Sequence, residues 1–158
     1  MQRLIIPTTR QSERSGAYIV EFSLVVPVFV MLLVGIMEFG HAYMVVATIN
    51  GAAKAGARLG GIEGVTTQQV RDRVSQTVST AIRTSNATIH VKDATVFDTD
   101  PLAENVDYAA LPDIELASAT ERQLFVVRVE VPYNDVALLP PFWIKDFRLV
   151  GQSVMRHE

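Results

Sequence analysis

The chain has 158 residues, of which 49% are apolar and 20% are charged, so it is long enough for one modest domain. Its net charge of -3 is too small to favour nucleic-acid binding, and it has no basic patch with interleaved aromatic residues. Cysteine is absent, which excludes disulfide frameworks, thiol catalysis and cysteine-based zinc sites. The small net charge and the lack of a basic patch lead us to expect no nucleic-acid partner.

An apolar segment follows a basic N-terminus. Residues 1–16 carry three arginines against one glutamate, whereas the remainder of the chain is net acidic. The 21 residues Ala17–Met37 contain a single charge, Glu21. As a helix they would span about 31 Å, close to the roughly 30 Å of a bilayer core. This arrangement predicts one transmembrane helix with its N-terminus in the cytoplasm.

Two other interpretations of the apolar segment are weaker. A core helix of a soluble domain would have a polar face, and Leu24–Ile36 offers none. A cleavable secretory signal would use Ala53-Lys54-Ala55, but some 15 residues separate that triplet from the apolar run.

Pro27 lies inside the predicted helix. It has no N–H to donate to the carbonyl of Ser23, so we expect the helix to kink or loosen there. One interpretation is that Pro27 has no special role, because transmembrane helices tolerate proline. The other is that it creates a weak point, which permits rearrangement during extraction from the bilayer. The sequence leaves both open.

A short motif precedes the apolar run, and Glu21 follows it at a fixed spacing. Arg14-Ser15-Gly16-Ala17, with Glu21 four residues further on, resembles the class III signal of type IV pilin-like proteins. The resemblance implies that a prepilin peptidase cuts between Gly16 and Ala17, which makes Glu21 the fifth mature residue.

The spacing of Ala17 and Glu21 has a physical rationale. A carboxylate near the centre of a bilayer costs about 2.5–3.5 kcal/mol even on lenient scales. The new α-amino group on Ala17 is largely protonated near neutral pH, and it can neutralise Glu21 of an adjacent subunit. The alternative is that Glu21 sits at the membrane interface and faces Arg14.

The resemblance becomes more specific over residues 14–58. The matching features are Val20-Glu21-Phe22, Pro27, Gly35-Ile36, Glu38-Phe39-Gly40, the Asn50-x-Ala52-Ala53 run and Gly56-Ala57-Arg58. This segment resembles the TadE-like minor pilins, or pseudopilins, of the Tad/Flp tight-adherence pilus. Ser15 departs from the pattern, which often has a second basic residue there. Ala17 replaces the phenylalanine typical of type IVa pilins.

This resemblance implies a structural subunit or assembly factor for pilus biogenesis and surface adhesion. Its implied partners are the membrane, prepilin peptidase, the other minor and major pilins and the inner-membrane assembly platform. The implied location is the bacterial inner membrane, with the N-terminus cytoplasmic and the C-terminal domain periplasmic or otherwise extracytoplasmic. The pilus or the cell surface is the alternative location. The alternative is an uncleaved single-pass anchor carrying an extracytoplasmic binding or sensor module.

The helical pattern continues beyond the membrane to about Leu59, and small residues line this part. They permit close helix packing, either against the chain's own head domain or against neighbouring subunits. The candidate packing residues are Gly51, Ala52, Gly56 and Gly60.

The rest of the chain predicts a small α+β head domain. Thr66 and Gln69 form a capping-box pattern, and a valine stripe from Val70 to Ile82 indicates an amphipathic helix that ends near Ser85-Asn86. Alternating apolar residues around Ile89, Val127–Val131 and Phe147–Leu149 predict a short antiparallel sheet. We therefore expect a basic leader at 1–16, a transmembrane and extended helix at 17–60 and a head domain at 61–158.

The segment Asp98–Glu121 has seven acidic residues and no basic one, which predicts a solvated loop. One weaker alternative is calcium binding by Asp98-Thr99-Asp100, although the rest of a calcium-loop pattern is missing. The other is that the segment contacts a basic partner.

Motifs for catalysis and metal binding are absent from the sequence. His41, His90 and His157 lack ligand spacing, and no nucleophile-elbow, phosphate-loop or dinucleotide pattern occurs. We expect a non-enzymatic protein without cofactor or metal; an anchored enzyme with an unrecognised site is the remaining alternative.

Overall fold

The computed structural model describes residues 10–82, 84, 86–99 and 106–158, with side chains from Gly16 onward. Most of the predicted basic leader and residues 100–105 of the acidic segment lie outside the described residues. The chain forms two compact units, Met1–Met37 and Glu38–Glu158. We call the second of these the head unit.

Helix α1 spans Arg10–Gly60, and its 51 residues continue through Pro27 as one helix. An apolar stretch of 18 residues within it has a mean hydropathy of 2.6, and none of that stretch is buried. A core helix of a soluble domain would be mostly buried, so this alternative loses its support. The helix is long and apolar enough to cross a membrane, as a single-pass anchor requires.

The last part of α1 belongs to the core of the head unit. Its inward residues recur every three or four positions, as expected for one helix face. They are Ala42, Val45, Ile49, Ala52, Ala53 and Ala57. The head unit thus includes residues 38–60, which the sequence assigned to the anchor.

Helix α2 spans Thr67–Ala81, and both hydrogen bonds of the predicted capping box are present at Thr66 and Gln69. Val70, Val74 and Val78 are buried against the core, as the valine stripe predicted. The helix ends before the predicted Ser85-Asn86, because Ile82 already has an extended backbone with φ -132°.

The sheet has three antiparallel strands in the order β1-β2-β3: β1 is Thr88–Asp93, β2 is Leu124–Pro132 and β3 is Arg148–Arg156. Phe125, Val127, Val129 and Val131 of β2 alternate along one face and are fully buried. The two helices pack on this face. The predicted α+β fold is confirmed.

The acidic segment is not simply a solvated loop. It includes the last two residues of the short helix α3, Val96–Thr99, and a 3-10 turn at Leu116–Ser118. Leu116 is fully buried, its N–H donates to Thr67 Oγ1 (3.0 Å), and the Thr67 hydroxyl donates to the carbonyl of Ile114 (2.8 Å). The prediction of a solvated loop is therefore wrong for this part, because α2 and the sheet supply partners that are distant in sequence.

The same segment uses its acidic groups inside the chain. Asp113 pairs with Lys92 at 2.9 Å, and Asp98 pairs with Arg156 at 2.6 Å. Tyr108 lies over the guanidinium of Arg128, 4.6 Å from ring centroid to Cζ. Two of the carboxylates that a basic partner would need are thus already engaged.

Candidate processing and anchoring site

The residues of the predicted processing motif lie on an exposed part of α1. Gly16 and Ala17 are both exposed, and a Cβ added to Gly16 would meet nothing within 4 Å. Glu21 stands four residues beyond Ala17, so the two share one helix face. The bond after Gly16 is therefore not buried by the described part of the chain.

Glu21 has no ion pair or hydrogen bond with any side chain that the structure describes. The side chain of Arg14, its alternative partner, lies outside the described residues. The neighbours of Glu21 on the helix are exposed and apolar, with Tyr18 and Phe22 at 68% and 69% exposure. None of the described side chains therefore competes for its carboxylate, which can pair with a group from another molecule.

Pro27 lies in the middle of the apolar stretch, inside a helix that continues on both sides. It leaves the carbonyl of Ser23 without its usual helical donor. Ser23 itself donates its hydroxyl to the carbonyl of Val20 at 2.7 Å. The structure therefore places the break in the hydrogen-bond ladder within the apolar run.

The four small residues of α1 divide into two groups. Ala52 is fully buried, and a Cβ on Gly56 would collide with Cγ2 of Val74. A Cβ on Gly60 would lie 2.8 Å from Cδ1 of Leu116. Gly51 is exposed and has nothing within 4 Å of a Cβ. Three of the four therefore pack within the head unit, and Gly51 faces outward.

Sequence reasoning missed a close contact between α1 and β3. A Cβ on Gly151 would lie 2.6 Å from the backbone nitrogen of Asn50 and 2.7 Å from the carbonyl carbon of Ile49. Next to it, the N–H of Gln152 donates to Asn50 Oδ1 at 3.1 Å. The available signals were a lone asparagine in an apolar helix and a glycine inside a strand pattern.

The sequence also gave no sign of the role of Glu38, the first residue of the head unit. It is only 9% exposed, and Oε1 of its carboxylate accepts the backbone N–H groups of Phe142 (3.1 Å), Trp143 (3.2 Å) and Ile144 (2.8 Å). The hydroxyl of Tyr133 donates to the carbonyl of Glu38 at 3.1 Å. Bonds to an ionised acceptor are about twice as strong as neutral ones. Glu38 therefore clamps a distant loop onto α1.

The histidines occupy separate environments. Nδ1 of the buried His157 lies 3.1 Å from the carbonyl of Gly60, and His41 lies beside the ring of Tyr133 at 6.0 Å. His90 lies half-buried on β1. Within the described residues, no group of three or more His, Cys, Asp or Glu could hold a metal ion.

Comparison with known families gives a match to the N-terminal part of the chain. Residues 16–58 match the family described as TadE-like protein. Comparisons with curated proteins and with solved structures gave no match. The matched residues run from Gly16 through Arg58 and include Glu21, Pro27 and Glu38. The resemblance is confirmed over this range, and it identifies residues 16–58 of the chain as a TadE-like region.

Proposed function

We propose that this chain is a TadE-like minor pilin or pseudopilin, a structural subunit or assembly factor for Tad pilus biogenesis and surface adhesion. The observation that supports it most is the TadE-like region, in which an exposed apolar helix carries an accessible Gly16-Ala17 bond and a Glu21 that has no partner among the described side chains. The role is structural and not catalytic.

Prepilin peptidase cleaves after Gly16 in this proposal. This cut leaves every core residue of the head unit in the mature chain. By contrast, a secretory cut after Ala55 would remove Ala52 and Ala53, both fully buried in the core. Gly16 lies within α1, and glycine lowers helix stability by about 1 kcal/mol relative to alanine, which favours the local unwinding that a protease requires.

Assembly then pairs charges between subunits. The α-amino group created at Ala17 is cationic near neutral pH, and Glu21 of a neighbouring subunit is the acceptor. Pairing removes the cost of an isolated carboxylate in hydrocarbon and fixes the register of adjacent helices. The exposed apolar residues around Glu21 provide the surface along which the helices meet.

The arginines of the leader support the orientation that we propose, with the N-terminus in the cytoplasm and the head unit in the periplasm. The partners of the mature chain are the other minor and major pilins and the inner-membrane assembly platform.

A cleavage-site variant tests this proposal in the native organism. We expect Gly16→Leu to retain the leader, to migrate more slowly in gels of membrane fractions and to reduce surface pili. Ser12→Leu, which changes the leader but keeps Gly16, should mature normally. Normal mobility and normal piliation in Gly16→Leu would contradict the proposal.

A further inference from the structure

Residues 138–147 form a loop that exposes large apolar side chains; we call it the aromatic loop. Leu138, Phe142 and Phe147 are 68%, 66% and 61% exposed, and Trp143 is 40% exposed. These side chains lie close together in sequence, in contrast to the singly scattered apolar residues of ordinary protein surfaces. The loop therefore presents an apolar surface that the head unit does not cover.

The base of the aromatic loop is closed by hydrogen bonds. The N–H of Tyr133 donates to the carbonyl of Phe147 at 2.9 Å, and the side-chain amide of Asn134 donates to Asp146 Oδ1 at 2.7 Å. At its tip, the rings of Phe142 and Trp143 stack edge to face, with centroids 4.7 Å apart. The exposed aromatic rings are thus held by the fold.

Glu38 holds the aromatic loop beside the first residue of the head unit. Its carboxylate holds the backbone of residues 142–144, and in the chain it directly follows Met37, the last residue of the apolar run. If Ala17–Met37 fills the hydrocarbon core, Glu38 lies at the boundary between acyl chains and headgroups. The aromatic loop then lies at the same level.

We propose that the aromatic loop inserts into the headgroup region of the bilayer and binds phospholipid, so that it docks the head unit on the membrane surface. Tryptophan and other amphipathic aromatic rings favour this region, and Lys145 in the same loop can reach anionic headgroups. The Glu38 clamp satisfies three backbone N–H groups that would otherwise lose water on insertion. The inference requires α1 to cross the membrane, but it does not depend on the role in pilus assembly.

Trp143 is the only tryptophan of the chain and serves as the probe. The full chain is reconstituted in phospholipid nanodiscs whose acyl chains carry bromine at either a shallow or a deep position. We expect blue-shifted Trp143 emission, strong quenching by the shallow bromine, weaker quenching by the deep one and little quenching by aqueous acrylamide. Efficient acrylamide quenching without bromolipid quenching would overturn the proposal.

Two matched variants separate the clamp from a general charge effect. Glu38→Gln should lose most of the shallow-bromine quenching, because the neutral amide holds the loop backbone more weakly. Glu63→Gln changes the same charge at an exposed turn and should leave the quenching unchanged. Phe142→Ser, which keeps the clamp but removes an apolar ring, should also reduce it.

Self-association gives a different result in the same assay. A blue shift that grows with the number of chains per nanodisc, without bromolipid quenching, would assign the surface to a second copy and overturn the proposal. Loss of lipid contact in a chain that still matures at Gly16 would count against the docking loop alone and leave the proposed function standing.

Discussion

Glu21 is the only charged side chain between Ala17 and Met37, and no side chain in the described part of the chain pairs with it. A single carboxylate in an apolar helix destabilises an isolated subunit more than an assembled one, provided that assembly supplies a cation. Glu21 is thus a charge that the described side chains of the monomer leave unpaired.

Replacement of Glu21 tests this residue directly. We expect Glu21→Val to leave membrane insertion intact, because it makes the helix more apolar, but to impair assembly because the amine of Ala17 loses its partner. Carbonate extraction measures insertion, and co-purification with other pilins measures assembly. Glu21→Asp, which keeps the charge, should retain more assembly than the valine variant; normal piliation in Glu21→Val would refute charge pairing.

Glu130 on β2 forms ion pairs with Arg128 and Arg148, which make its contribution to stability depend on pH. Hydrogen bonding from Arg128 is the main cause that lowers its pKa, with desolvation opposing and Arg148 assisting. Because the folded pKa lies below the unfolded one, the ionised form stabilises the fold above about pH 4.3. This contribution is lost as the pH falls through the folded pKa.

The pH dependence is measured from the thermal unfolding midpoint of the full chain in detergent micelles. Glu130→Gln should lower the midpoint at neutral pH and show a smaller further loss between neutral pH and the acid range than the parent chain. Glu63→Gln serves as the control, since Glu63 has no ion pair or hydrogen bond among the described residues. An identical acid profile for the parent and Glu130→Gln would refute the role of this ion pair.

At the scale of elements, the head unit depends on the close approach of α1 and β3. Gly151→Ala places a methyl group against the backbone of Ile49 and Asn50, which cannot move aside as a flexible side chain could. We expect a loss of about 1–3 kcal/mol of stability, typical of overpacking. Urea unfolding followed by circular dichroism in micelles measures it.

Gly51 provides the matched control for this prediction. It is exposed on the same helix with nothing within 4 Å of a Cβ, so Gly51→Ala should leave stability unchanged or raise it by about 0.5–1 kcal/mol. Equal destabilisation by the two substitutions would show that the contact between α1 and β3 is not tightly packed.

At the scale of the whole molecule, local patterns in the sequence predicted the helices and strands well, but they did not predict the contacts between these elements. The capping box at Thr66 and the alternation around Val127–Val131 are local signals. Helix α2 begins directly after Thr66, and β2 contains Val127–Val131. β3 extends to Arg156, well beyond the pattern at Phe147–Leu149. The sequence did not predict this extension, because Gly151 and Gln152, which contact α1, interrupt the apolar alternation of the strand.

The missed features of the site are contacts between segments far apart in the chain. Glu38 and Phe142 are separated by 104 positions, and no spacing rule joins them. The acidic segment was predicted to be solvated because its own residues include no basic one. In the fold, Lys92 and Arg156 form ion pairs with it, and Thr67 forms a hydrogen bond with it. By contrast, Gly16, Ala17 and Glu21 form a local motif that the sequence reveals without help from the fold.

The N-terminal residue of the mature chain tests the central claim most directly. The protein is purified from native membranes, and its intact mass and N-terminal sequence are determined. Processing by prepilin peptidase predicts a chain that begins at Ala17 and has the mass of residues 17–158. A chain that retains residues 1–16 would contradict the account and favour an uncleaved anchor for an extracytoplasmic binding or sensor module.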